Sequence, residues 1–234
     1  MIRVTIWNEY EHERKVPEIQ KIYPEGIHGA LKKSFSAEED MVVKCATLDE
    51  PDQGLSEELL SDTEVLIWWS HARQDDVTDE TVQRVIRHVH AGMGLIALHS
   101  AHFSKVFRQL MGTPCTLSWK HGDREKLFCV NPSHPIAEGV PVCIDLMEEE
   151  LYGEPFFIPN PDEVVFMGWF EGGAVFRSGC TFTRGYGKIF YFQPGHEEYR
   201  VYDNPDIRKI LVNSIRWAAP HKRTAEPPDN VCLE

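Results

Sequence analysis

Two uninterrupted apolar runs, Val65–Trp69 and Leu95–Leu98, constrain this chain more than any other feature. Each is too short for a core helix and lacks the in–out alternation of a half-solvated strand, so each reads as a strand buried on both faces, the signature of a parallel sheet covered by helices. Ser70-His71 follows the first and His99-Ser100 the second. Between them Thr78 stands as an N-cap, with Thr81 where a capping box would have Glu, before a helix bearing Val82, Val85, Ile86 and Val89 on one side. Further strands are expected at Ile2–Trp7 and Met41–Ala46, with helices through about Phe35 and from about Ala101 to Met111. Strand and helix alternate across short connections, which is the pattern of a doubly wound α/β sheet.

From Lys126 the texture changes. Short strands at 126–130, 163–168, 174–177, 181–183 and 188–192 are separated by Gly, Pro and Asn, which predicts an antiparallel extension. Asn204-Pro205 opens a last helix with apolar residues at helical spacing, ended by Pro220. The reading is one domain over residues 1–220 and a polar, frayed tail over 221–234. The 234 residues suffice for one sizeable core.

A net charge of −13 repels phosphate backbones and anionic headgroups, so no nucleic-acid or membrane partner is expected. The chain enters its first strand directly, without signal-peptide features, and has no long apolar span, so cytoplasm is the expected location. Cys45, Cys115, Cys129, Cys143, Cys180 and Cys232 form no C-x-x-C pair and read as small buried residues. No glycine-rich phosphate motif occurs, and no nucleotide cofactor is indicated. The acidic run 145–150 reads as a solvated face, and Trp68 and Trp69 as core.

Ligands of open α/β sheets bind beyond the carboxyl ends of the strands. There the sequence places Asn8, Glu9 and His12; then His71; then His99, Ser100 and His102; and finally Gln193, His196 and Glu197, with His28 near the first helix. Five of the eleven histidines fall on these strand ends, so a shared site is expected. Two chemistries compete. Neutral imidazoles of His71, His99 and His196 would ligate zinc or another divalent metal, or histidines would exchange protons without metal, with Glu9 or Glu197 as base.

The segments 4–10, Gly26-Ile-His28-Gly, Val65-Leu-Ile-Trp-Trp-Ser-His71, 92–104, Trp169-Phe-Glu-Gly-Gly173, 176–184 and Tyr191-Phe-Gln-Pro-Gly-His-Glu197 resemble the trehalose-utilisation (ThuA-like) family. The resemblance implies a flavodoxin-like, class I glutamine amidotransferase-like three-layer sandwich, mostly parallel with an antiparallel extension. It also implies a role in disaccharide catabolism involving 3-keto sugars. His99 falls where the amidotransferase nucleophile elbow carries Cys, which excludes glutamine hydrolysis, and Ser100 sits beside the elbow. Gln193 falls where the amidotransferase His would be, with His196 three residues later.

The leading expectation is an enzyme acting on a small carbohydrate such as a 3-keto-disaccharide. Glu9, His99, His196 and Glu197 would carry the chemistry, and Asn8, His12, His28, Ser100, His102, Tyr152 and Gln193 would surround the sugar. The rival is a non-catalytic sugar-binding or regulatory protein on the same scaffold, with an ordinary glycoside hydrolase third. Homo-oligomerisation is left open.

Overall fold

The two apolar runs lie side by side at the centre of one nine-stranded sheet in the computed structural model of the chain, which describes residues 1–221 and 223–230. In chain order the elements are β1 (Ile2–Asn8), α1 (His12–Lys15), α2 (Pro17–Ile22), α3 (Gly26–Ser34), β2 (Met41–Thr47), α4 (Glu57–Asp62), β3 (Val65–Trp69), α5 (Asp79–His90), β4 (Gly94–Leu98) and α6 (Lys105–Met111). Then follow β5 (Ser118–Cys129), β6 (Cys143–Gly153), β7 (Glu163–Phe170), β8 (Val175–Arg184), β9 (Gly187–Phe192) and α7 (Pro205–Ala218). The sheet order is β2-β1-β3-β4-β9-β8-β7-β5-β6. Its first five strands are mutually parallel and the rest antiparallel. The parallel part has the 2-1-3-4-5 order of doubly wound sheets if β9 is counted fifth, and the direction of winding reverses between β1 and β3.

Every residue of β3 and β4 is buried, because helices cover both faces. Val65, Ile67, Ile96 and Leu98 pack with Ile27 and Leu31 of α3 and Ile207, Leu211 and Ile215 of α7. Leu66, Trp68, Leu95 and Ala97 pack with Val82, Val85 and Val89 of α5 and Phe107 of α6. Each such aliphatic side chain contributes roughly 1.5–3 kcal/mol by leaving water. Trp68, fully inside, stacks on Trp7 with ring centroids 4.0 Å apart. The caps sit where the sequence puts them: Thr78 accepts from the Thr81 N–H, and Asn204 from those of Asp206 and Ile207.

Several expectations are corrected. After β4 the chain makes a 3-10 turn over His99–Phe103, and α6 starts only at Lys105, because Ser104 caps it by accepting from the Phe107 N–H. The strand expected from Lys126 begins at Ser118, and 174–177 with 181–183 is the single strand β8. The acidic run lies in β6, where Glu149 and Glu150 are buried rather than solvated. Cys143 is exposed, whereas Cys115 and Cys180 are buried, and the described cysteines are free; Cys232 lies outside the described residues. The tail is anchored at its start: Arg223 donates to the carbonyls of Leu60 and Thr63, and the Thr224 N–H to that of Ala91. Residues 222 and 231–234 of that tail lie outside the described ones. Among the described residues no helix is long and apolar enough to cross a membrane.

Candidate active site

The carboxyl ends of β1, β3, β4 and β9 open on one rim, and the antiparallel strands β5 and β6 close it from the side. At the end of β4 the backbone of His99 turns into the left-handed region, φ 51°. A residue with a Cβ is held there against about 1–3 kcal/mol of strain, so the surrounding structure must fix it. It does. The His99 ring is wholly buried and stacks on Tyr152 at 4.9 Å, while Nδ1–H donates to the Gln193 carbonyl at 2.8 Å. That bond directs Nε2 toward Glu150 Oε2, 3.0 Å away, and the Tyr152 hydroxyl, 3.3 Å away. A carboxylate oxygen and an imidazole nitrogen at 3.0 Å are within hydrogen-bond reach, so His99 and Glu150 form one dyad. Burial works against charge on Glu150, but the His99 bond and the neighbouring imidazoles hold its pKa below the usual carboxylate value.

A second carboxylate stands opposite. Glu197 Oε1 accepts from Nδ1 of His12 at 2.6 Å and of His71 at 2.7 Å. Burial opposes its charge, yet these two bonds hold Glu197 far below the normal range. The His12 pKa is raised by its bond to Glu197, and that of His71 is raised by the same carboxylate against the opposing effect of burial. His196 sits between the two carboxylates, its ring 5.2 Å from those of both His71 and His99. Its Nδ1 accepts the Glu198 backbone N–H at 3.2 Å. Its Nε2 is buried with no partner, as is Glu197 Oε2. Burial, and then repulsion from His99, push His196 down to about 4. His102 donates from Nδ1 to the Cys115 carbonyl at 2.7 Å, and burial likewise lowers it to about 4.

All of these histidines and carboxylates except His99 line a cleft of about 620 Å³, within the range of small-molecule sites. Its apolar side is Val16, Ile19, Phe103, Leu117 and Trp119, and no Lys or Arg is among its described lining residues.

Of the residues expected at the site, His12, His71, Ser100, His102, Tyr152, His196 and Glu197 line the cleft, and His99 lies directly behind Glu150. Four others do not line it. Glu9, expected as a base, accepts the Ala72 and Arg73 backbone N–H groups with its two oxygens and pins the turn after β3. Asn8 is fully buried, donates to Glu13 and lies 3.0 Å from His28 Nδ1, so both Asn8 and His28 belong to the packing around α3. Gln193 donates to the Glu150 carbonyl and presents its own carbonyl to His99, which makes it the strut between the dyad's partners. Ser100 Oγ donates to the Ser70 carbonyl, a fixed structural bond.

The expected metal trio also divides. His71 groups with His12 and Glu197, whereas His99 groups with His196 and Glu150. His99 has both ring nitrogens engaged, and the Nδ1 of His196 is an acceptor, which leaves the proton of the neutral ring on Nε2. In that tautomer Nε2 of His196 is a donor, and His71 stands in a different cluster from His99 and His196.

Sequence reasoning missed Glu150, and with it His121 from the same side of the cleft. Strand alternation holds from Ile144 to Met147, then slips, so that Glu149 and Glu150 are both buried. Register shifts in the β5–β6 pairing, between Lys120 and Asp123 and between Asp123 and Glu125, accompany the slip.

A family model described as trehalose utilisation, ThuA, matches residues 3–218. No curated protein matches the chain. Among solved structures, a ThuA-like protein from Parabacteroides merdae is similar with TM-score 0.71 and 16% identity, over 97% of this chain and 93% of that one. One from Bacteroides uniformis is similar with TM-score 0.67 and 15% identity, over 97% and 94%. PurLQS from Thermotoga maritima is similar with TM-score 0.53 and 12% identity, over 93% of this chain and 99% of that one. These likenesses show a shared fold.

Proposed function

Because the chain belongs to the ThuA, trehalose-utilisation, family, we propose that it is an enzyme of disaccharide catabolism that acts on an oxidised, 3-keto form of a trehalose-type sugar by histidine–carboxylate acid–base chemistry. The scaffold in this reading is amidotransferase-like, supported by the doubly wound strand order and the likeness to PurLQS. Its elbow position carries His99, so glutamine hydrolysis through a thioester is not part of the proposal. A cytoplasmic location and a neutral sugar partner accord with the charge of −13 and a cleft without lysine or arginine.

One observation carries the reading: Glu150 Oε2 lies 3.0 Å from Nε2 of a buried, rigidly oriented imidazole while the carboxylate itself lines the cleft. A ketone acidifies the neighbouring C–H. Glu150 takes that proton, the C–H electron pair moves to form the carbon–carbon double bond, and the carbonyl pair moves to oxygen as an enediolate. His12 and His71, both biased toward the imidazolium by Glu197, lie at the cleft to neutralise the oxyanion. Passage of the hydroxyl proton to the former carbonyl oxygen, with return of the abstracted proton from Glu150 to the other carbon, isomerises the sugar; departure of a β-leaving group that takes the proton back from Glu150 cleaves it.

The test is exchange of the α-hydrogen of 3-keto-trehalose with solvent deuterium, followed by NMR. The wild type should accelerate exchange, and Glu150→Gln should lower the rate by about 10²–10⁴. A wild-type protein that binds the keto-sugar yet never speeds exchange, isomerisation or cleavage would overturn catalysis in favour of a binding role.

A further inference from the structure

Two buried polar atoms in the cleft wall, His196 Nε2 and Glu197 Oε2, lack partners, and Glu150 Oε1 lies beside them. His196 Nε2 lies 3.7 Å from Glu197 Oε2 and 3.9 Å from Glu150 Oε1, and all three side chains are at most 4% exposed. Those gaps are too long for direct hydrogen bonds, but one oxygen can bridge either gap at about 2.8 Å from each end. The polarity of the trio follows from the bonds around it. The Glu198 N–H occupies Nδ1 of His196, so the neutral ring carries its proton on Nε2 and is a donor. Glu197 Oε1 is held by His12 and His71, and Glu150 Oε2 by His99, so the second oxygen of each carboxylate keeps acceptor capacity, that of Glu150 with His121 Nδ1 3.6 Å away. A buried donor thus stands between two buried acceptors.

A bare carbonyl oxygen would satisfy the donor but meet the carboxylates as like charges. An ammonium would satisfy the carboxylates and leave the His196 proton stranded. A hydroxyl satisfies both, accepting from Nε2–H and donating its own proton to one carboxylate. We infer that His196, Glu197 and Glu150 form a hydroxyl-binding subsite, and that its occupant is a secondary alcohol of the sugar. Resting on the keto-sugar reading, that alcohol is the one on the carbon next to the ketone, which brings its C–H to Glu150. His196 is a positioning residue here, a hydrogen-bond donor and not a metal ligand.

The experiment uses the full chain labelled with ¹⁵N-histidine, and trehalose with its mono-deoxy analogues as probes. Long-range ¹H–¹⁵N spectra at neutral pH should show His196 as the Nε2–H tautomer, and trehalose should shift that resonance. One deoxy analogue should bind at least about tenfold more weakly than trehalose to the wild type, and that difference should vanish in His196→Phe. An Nδ1–H tautomer, or loss of the Nε2–H signal on adding one equivalent of Zn²⁺, overturns the subsite. Equal binding of all the deoxy analogues overturns the sugar occupant and leaves a water there. None of these readouts depends on turnover, so an inactive protein with the expected spectra would sink the catalytic reading alone.

Discussion

Glu125 is a wholly buried carboxyl inside the antiparallel half, and replacing it by Gln should stabilise the protein in a way that depends on pH. Oε1 accepts from Ser178 Oγ at 3.2 Å, and Oε2 has no partner. Burial pushes its pKa from 4.5 up to about 8. The folded protein therefore keeps this proton while the unfolded chain releases it, so its contribution to stability is intact below pH 4.5 and is lost as pH rises toward 8. At about 1.4 kcal/mol per pH unit, the carboxyl costs about 3 kcal/mol at pH 7. The amide keeps the shape and has nothing to ionise. About 1 kcal/mol of the gain is offset by leaving its second hydrogen unpaired, so the net stabilisation at pH 7 is about 2 kcal/mol. Urea unfolding of wild type and Glu125→Gln at pH 4, 5, 6, 7 and 8 measures it. The difference should be absent or slightly negative at pH 4 and grow by about 1.4 kcal/mol per unit up to about pH 8. A difference of the same size at every pH would refute the reasoning, because it would mean that packing and not proton linkage sets the effect.

Other outcomes follow from the same structure. A Cβ on Gly168 would stand 2.4 Å from Glu125 Oε1 and 2.5 Å from Ser178 Oγ, so Gly168→Ala should lower the urea midpoint by about 1–3 kcal/mol of stability. His102 and His196 sit near 4 in the folded protein against 6.5 when free, so stability is intact above pH 6.5 and falls as pH drops toward 4; His102→Gln should flatten that acid limb in the same titration. His99→Asn places at φ 51° a residue that tolerates the left-handed region and removes the proton-exchanging ring. Turnover of a keto-disaccharide should fall by about 10²–10⁴ while the circular dichroism spectrum stays native; unchanged turnover would remove His99 from the mechanism.

The histidines at the rim were legible because of parallel-sheet geometry. Residues that follow β3, β4 and β9 must share one edge of the sheet, and so His71, His99 and His196 meet although they are far apart in sequence. What each side chain does there was less legible. Glu9 and Gln193 occupy the expected strand ends, yet Glu9 spends its oxygens on the loop after β3 and Gln193 its amide on the Glu150 carbonyl of β6 and the Ser178 hydroxyl, which no spacing rule reveals. Glu150 was hidden for a different reason. A run of acids is ordinarily a wet surface, and only the slipped pairing of β5 with β6 turns this one inward against His99. The parallel half was readable from its apolar runs, whereas the antiparallel half blurred because strands as long as β5 and β8 are broken in the sequence by polar residues and glycine.

The seam where β9 pairs with β4 on one side and β8 on the other gives the protein a division of labour. Of the six site histidines, His12, His71, His99 and His102 lie just beyond β1, β3 and β4, and His196 just beyond β9, all parallel strands. Trp119, His121, Glu150 and Tyr152 come from the β5–β6 pair, whose outer member is the last strand of the sheet. An outermost strand tolerates lengthening, shortening or replacement with little disturbance to the layers behind it. Descendants of such a scaffold could therefore diversify what they accept by rewriting one peripheral hairpin while inheriting the imidazoles of the parallel strands unchanged, and a laboratory library over residues 118–129 and 143–153 that keeps Glu150 would sample that same route.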